Sequence, residues 1–78
     1  MYATDWCPYC ARARSLLAAK GVTVEEIDIE AVPGAREAME ARSGHSSVPQ
    51  IFIGEQHIGG CDELQALDAA GRLDPLLK

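Results

Sequence analysis

Three cysteines in a chain of 78 residues, two of them separated by only Pro8 and Tyr9 and the third alone at Cys61, set the first constraint on any fold this chain can adopt. A chain this short has material for a single, marginal hydrophobic core, and many small domains close the gap with disulfides or metal. An odd number of cysteines, so spaced, makes a poor disulfide framework for a secreted mini-protein. It suits a redox-active or metal-binding pair in a reducing compartment. Residues 1–78 are therefore expected to form one domain, with a cytoplasmic location.

Composition narrows the classes further. Hydrophobic residues make up 47% and charged residues 24%, the balance of a globular domain. The net charge of −5 argues against wrapping nucleic acid, whose phosphates it would repel. No run of eighteen apolar residues and no basic, then apolar, leader is present, so no membrane association is expected.

The punctuation of the chain predicts its elements. Met1 to Thr4 reads as a short extended segment, and Asp5-Trp6-Cys7-Pro8 as a helix entry with proline in the first turn. That helix is expected from about Pro8 to Lys20, with Cys10, Ala13 and Leu17 on its inward stripe, Leu16 beside them, and Gly21 as the stop. Val22 to Ile29 is β-branched and reads as a strand, although its apolar phase slips between Val24 and Ile27. Pro33 opens a second helix, with Ala35, Ala38 and Met39 on its apolar stripe and Gly44 at its end. Gln50–Ile53 and Gln56–Ile58 flank Gly54-Glu55, the spacing of a two-residue hairpin with glycine first. Asp62 and Gln65 resemble a capping box for a last helix ended by Gly71, and Leu73 to Lys78 form a tail whose Leu76 and Leu77 cover the core. The order is β-α-β-α-β-β-α, and the first crossover makes its two strands parallel.

The chemistry concentrates at Cys7-Pro8-Tyr9-Cys10. Two cysteines two residues apart at a helix start can close into a small disulfide ring. Cys7 lies where free backbone N–H groups and the positive end of the helix dipole favour thiolate. Cys10 lies one turn in and more buried, so its thiol keeps its proton longer. Cys7 is then the attacking sulfur and Cys10 the resolving one. The competing reading is half of a zinc site, but the other candidate ligands, His45, His57 and Cys61, are not spaced as a second pair, so no metal is expected.

These residues resemble a dithiol glutaredoxin of the small bacterial type. Cys7-Pro8-Tyr9-Cys10 matches the family's active-site motif, Ser47-Val48-Pro49 resembles its Thr-Val-Pro, and Gly59-Gly60-Cys61-Asp62 matches its Gly-Gly-x-Asp. The resemblance spans nearly the whole chain and implies an α/β, thioredoxin-like fold, a four-stranded mixed sheet flanked by helices. It implies a glutathione-dependent oxidoreductase that reduces protein disulfides and glutathione mixed disulfides, with glutathione as co-substrate, no permanently bound cofactor, and a monomeric state.

The resemblance also implies a glutathione site. Val48, before Pro49 in an expected cis bond, offers backbone N–H and C=O to the tripeptide's cysteine, as a strand edge does. Ser47 and Pro49 flank it. Gly60 lets the backbone approach, and Cys61 and Asp62, at the start of the last helix, receive the γ-glutamyl end. Arg36 aligns with a residue aimed at the glycine carboxylate, and Tyr9 packs against the ligand. Two positions depart from the pattern. Thr4 stands where the family usually has lysine, removing one cationic contact, and Trp6 before the first cysteine is more a thioredoxin habit. Two other functions stay open at this point: a glutathione-ligated iron–sulfur module bridged through Cys7, which Pro8 disfavours, and an electron donor served by thioredoxin reductase, which Gly59 to Asp62 disfavour.

Overall fold

Four short strands and four helices succeed one another in the computed structural model, which describes residues 1–77: β1 (Tyr2–Ala3), α1 (Pro8–Ala19), β2 (Ile27–Asp28), α2 (Ala35–Ser43), β3 (Ile51–Ile53), β4 (Gln56–Gly59), α3 (Cys61–Ala69) and α4 (Leu73–Leu77). β1 and β2 are parallel, Tyr2 opposite Ile27 and Ala3 opposite Asp28. β3 and β4 are antiparallel, with an irregularity between Ile51 and Phe52. The two ladders meet at one antiparallel bridge, in which Tyr2 N–H donates to the Gln50 carbonyl at 2.9 Å and Gln50 N–H donates to that of Tyr2 at 3.1 Å. The result is a mixed sheet in the order β2-β1-β3-β4, with the bridge placing Gln50 beside the strand that leads into the cysteine motif.

Successive strand residues point to opposite faces, which divides the core in two. Ile51 joins Ala13 and Leu17 of α1, Leu64 of α3 and Leu73 of α4 on one face. Tyr2 and Ile29 join Ala35 and Met39 of α2 on the other, with Phe52 packed against them. Helices thus cover both faces. Lys20, at the end of α1, ties this layer together through Asp68 at 2.6 Å and Asp74 at 2.9 Å.

The inward stripe of α1 is as expected, Cys10, Ala13 and Leu17 being buried, and the hairpin turns at Gly54 with φ of +61°. Four expectations need correction. The second strand pairs only at Ile27–Asp28, because β1 offers just Tyr2 and Ala3 as partners. The phase slip has its cause here: Val22 and Val24 pack on the α1 face and Ile27 on the α2 face. The second helix starts at Ala35, after Gly34 rather than at Pro33, and its Ala38 is exposed. The last expected helix starts at Cys61 with Gly60 rather than Asp62 as its cap, and Glu63 takes the role expected of Gln65, its Oε1 accepting the Gly60 N–H at 3.2 Å. Gln65 instead donates to the Cys61 sulfur at 3.4 Å. The tail forms α4, and Lys78 lies outside the described residues.

Candidate active site

The chain leaves β1 at Ala3, and within four residues it has entered α1, so Cys7 becomes the residue that caps the helix with Pro8 in the first helical turn. Cys7 Sγ accepts the backbone N–H of Cys10 at 3.4 Å. Both thiols are free, and both residues are buried, Cys10 completely. Burial pushes the Cys10 thiol up to about 11, and its neighbour Cys7 adds to the rise, while a main-chain hydrogen bond from Thr4 works the other way. The inner sulfur therefore holds its proton at neutral pH, as the sequence implied.

Facing the dithiol is the loop that enters β3. The Val48–Pro49 peptide bond is cis, and Cys7 Sγ lies 3.9 Å from the Val48 carbonyl oxygen. Beyond it opens a groove of about 230 Å³, walled by Tyr9, Ser47, Val48, Pro49, Gly60, Cys61 and Asp62. Seven residues expected at a glutathione site are thus brought together at one groove. Arg36 is not among its walls; its guanidinium donates to the Ser46 carbonyl at 3.3 Å, next to Ser47 at the rim. A larger cavity of about 520 Å³, between Val22, Val24, Phe52 and Leu76, contains no cysteine and is unrelated to the thiol chemistry.

Sequence reasoning passed over three wall residues: His45, Gln50 and Glu63. His45 and His57, considered above only as candidate zinc ligands, have rings 5.9 Å apart, and His57 contacts Gln50. Gln50, directly after Pro49, had one available signal: a polar residue at the head of an apolar strand. Gly59 also matters more than its neighbour. With φ of +121°, it leaves no room for a side chain, since a Cβ there would lie 2.8 Å from Glu63 Oε1. At Gly60 a Cβ would meet the Pro49 carbonyl at an ordinary 3.4 Å.

The residues that departed from the family pattern occupy different settings. Thr4 is interior, 1% exposed, and its Oγ1 has no hydrogen-bond partner among the described residues. Trp6 is 69% exposed, its indole N–H donating to Glu30 Oε1 at 2.7 Å. Tyr9 is exposed on the groove side, with the Arg12 guanidinium 5.7 Å from its ring centre. Burial, with Asp62 adjacent, raises the Cys61 thiol, which lowers its reactivity. The described residues contain no cluster of side chains that could hold a metal ion.

Comparison with known proteins agrees with this geometry. The family model described as Glutaredoxin matches residues 1–58. The chain is 58% identical over 78 residues to Glutaredoxin 3 of Escherichia coli strain K12, covering 100% of this chain and 94% of that one. It superimposes on the solution structure of glutaredoxin from Brucella melitensis with a TM-score of 0.85 at 56% identity, covering 99% of this chain and 84% of that one. The crystal structure of a buckwheat glutaredoxin–glutathione complex matches with a TM-score of 0.90 at 30% identity, over 97% of this chain and 72% of that one. These matches establish a thioredoxin-like fold around the dithiol, and the chain belongs to the glutaredoxin family, the glutathione-dependent thiol–disulfide oxidoreductases, acting through Cys7 and Cys10.

Proposed function

We propose that the groove beside Cys7 binds glutathione and that the two cysteines divide the reaction between them. The observation that carries this reading is the approach of Cys7 Sγ to the Val48 carbonyl at 3.9 Å, which places the reacting sulfur beside a main-chain edge. The likeness to a glutaredoxin–glutathione complex supports it. Glutathione lies along Val48 as an added strand, its cysteine main chain paired with the N–H and C=O of that residue. Ser47 and Pro49 shape the wall, and Tyr9 covers the ligand. The γ-glutamyl end meets Gly60, Cys61 and Asp62 at the start of α3, where free amide N–H groups attract a carboxylate. Arg36 reaches the glycine carboxylate from the rim.

The Cys7 thiolate attacks the glutathione sulfur of a mixed disulfide. The bond from that sulfur to the substrate breaks, and the substrate leaves as a thiolate that takes up a proton. A second glutathione thiolate then attacks the sulfur held on Cys7, giving oxidised glutathione and free Cys7. With a protein disulfide, Cys7 first bonds to one protein sulfur. Cys10 loses its proton, attacks Cys7 Sγ and releases the reduced protein, and two glutathione molecules later reduce the Cys7–Cys10 disulfide.

Residues 1–78 form a single domain in this reading, working as a monomer in the reducing cytoplasm on disulfide-bonded or glutathionylated proteins, with no cofactor beyond glutathione. The odd number and the spacing of the cysteines, a poor framework for structural disulfides, support that setting. The deciding assay is turnover of a small glutathione mixed disulfide. It should depend on glutathione plus glutathione reductase; turnover driven equally well by thioredoxin reductase without glutathione would overturn the assignment.

A further inference from the structure

The wall of the groove opposite the dithiol is braced by side chains that take no part in thiol exchange. Among the described residues, neither Ser47 nor Val48 makes a backbone–backbone hydrogen bond. Gln50, two residues on from Val48, is the reverse: its main chain is bonded in both directions to Tyr2, and the residue is 3% exposed. Its side-chain amide is used at both ends. Nε2 donates to the Ser47 carbonyl at 2.9 Å and lies 3.4 Å from Ser47 Oγ, while Oε1 is 2.8 Å from Nε2 of His57.

The proton arrangement follows from donor and acceptor capacity. A carbonyl oxygen only accepts, so the amide nitrogen of Gln50 must face Ser47 and its oxygen must face the imidazole. Nε2 of His57 must then carry the hydrogen. His57 is itself held: it stands opposite Phe52 in the β3–β4 ladder, its ring 5.0 Å from that of Phe52. A rigid hairpin residue thus orients a buried amide, which orients the carbonyl directly ahead of Val48.

We propose that His57 and Gln50 are positioning residues for ligand binding, a hydrogen-bonded chain that holds the Ser47–Val48 edge at the angle glutathione requires. This rests on the reading of Val48 as the main-chain partner of glutathione. The chain touches neither sulfur, so it sets affinity and leaves the chemical step alone.

The test uses S-methylglutathione, which cannot exchange thiols, as a binding probe. In the unaltered protein the Val48 amide resonance should shift on titration with it; an unmoved Val48 resonance would reject the Val48 reading itself and with it the basis of the chain. His57→Phe keeps a ring against Phe52 but removes the donor. It should weaken probe binding, and raise KM for a glutathione mixed disulfide, by ~3- to 10-fold with kcat unchanged, the loss expected for one hydrogen bond. His57→Gln, whose amide can still donate to Gln50 Oε1, should restore most of that loss. A responsive Val48 combined with full affinity in His57→Phe, whatever happens to its melting temperature, would show that the contact is structural only. Should His57→Phe not fold, the imidazole nitrogen resonances of the unaltered protein at about pH 8, where an ordinary histidine is neutral, decide the point. They should report hydrogen on Nε2, and hydrogen on Nδ1 would overturn the proposal.

Discussion

The amide of Cys10 donates its hydrogen bond to the sulfur of Cys7 across 3.4 Å, so the first cysteine of the motif caps the helix that carries the second. Cys7 receives a helix-start N–H and lies 3.9 Å from the Val48 carbonyl oxygen, whereas Cys10 is wholly buried, its thiol pushed up to about 11. The two sulfurs are therefore chemically unequal before any substrate arrives, and their replacement should have unequal effects.

Cys10→Ser should retain reduction of glutathione mixed disulfides, since glutathione itself can clear Cys7. The same variant should stall on protein disulfides, where the adjacent Cys10 attacks at an effective concentration that free glutathione cannot reach. Cys7→Ser should lose both activities, because the remaining thiol is buried and protonated. Assaying both substrates with both variants checks this, and substantial deglutathionylation by Cys7→Ser would assign the nucleophile to the other sulfur.

The raised Cys10 thiol has a consequence for stability. Between its ordinary value near 9 and about 11, the unfolded chain ionises at this position while the native state keeps its proton. The native state then binds more protons, so stability falls as pH rises through that window and is fully present below it. The loss should reach about 2 to 3 kcal/mol by pH 11. Denaturant midpoints measured from pH 8 to 11 should decline less steeply for Cys10→Ala than for the unaltered protein. Parallel declines would place the titrating group elsewhere, Cys61 being the other raised thiol.

The two adjacent glycines should differ sharply. Gly59→Ala forces a Cβ to within 2.8 Å of Glu63 Oε1 at a φ of +121°, so it should cost about 1 to 3 kcal/mol and displace the cap of α3. Gly60→Ala meets only an ordinary contact with the Pro49 carbonyl and should fold nearly as well as the parent. Thermal melts of the pair discriminate; equal losses would mean that Glu63 gives way freely.

Thr4 buries a hydroxyl that has no hydrogen-bond partner among the described residues. Thr4→Val exchanges that group for a methyl of similar size and removes the desolvation cost, so it should stabilise the protein by about 1 kcal/mol. Denaturation of the variant measures this, and a clear loss of stability would reveal a partner for Oγ1, such as an ordered water.

The sequence alone determined whatever depends on neighbours along the chain. Proline before and glycine after an apolar stripe delimited α1 and its buried face, the Gly54-Glu55 spacing set the hairpin, and the Cys7–Cys10 spacing located the chemistry. The family motifs marked a groove that assembles from three separate segments. Tertiary structure decided what depends on partners far apart in sequence. β2 is short because β1 offers only two residues for pairing, and Val22 and Val24 change face relative to Ile27 because they pack on different layers. Gly60 replaced Asp62 as the cap and Glu63 took the role expected of Gln65, because the chain brings the Gly60 N–H against the Glu63 carboxylate. The support of Ser47 by Gln50 and His57 had no local signature, since it requires the β3–β4 register to bring an imidazole against an amide seven residues away. Local propensity is written in adjacent residues, whereas burial and hydrogen-bond partnership exist only once the layers have closed on one another.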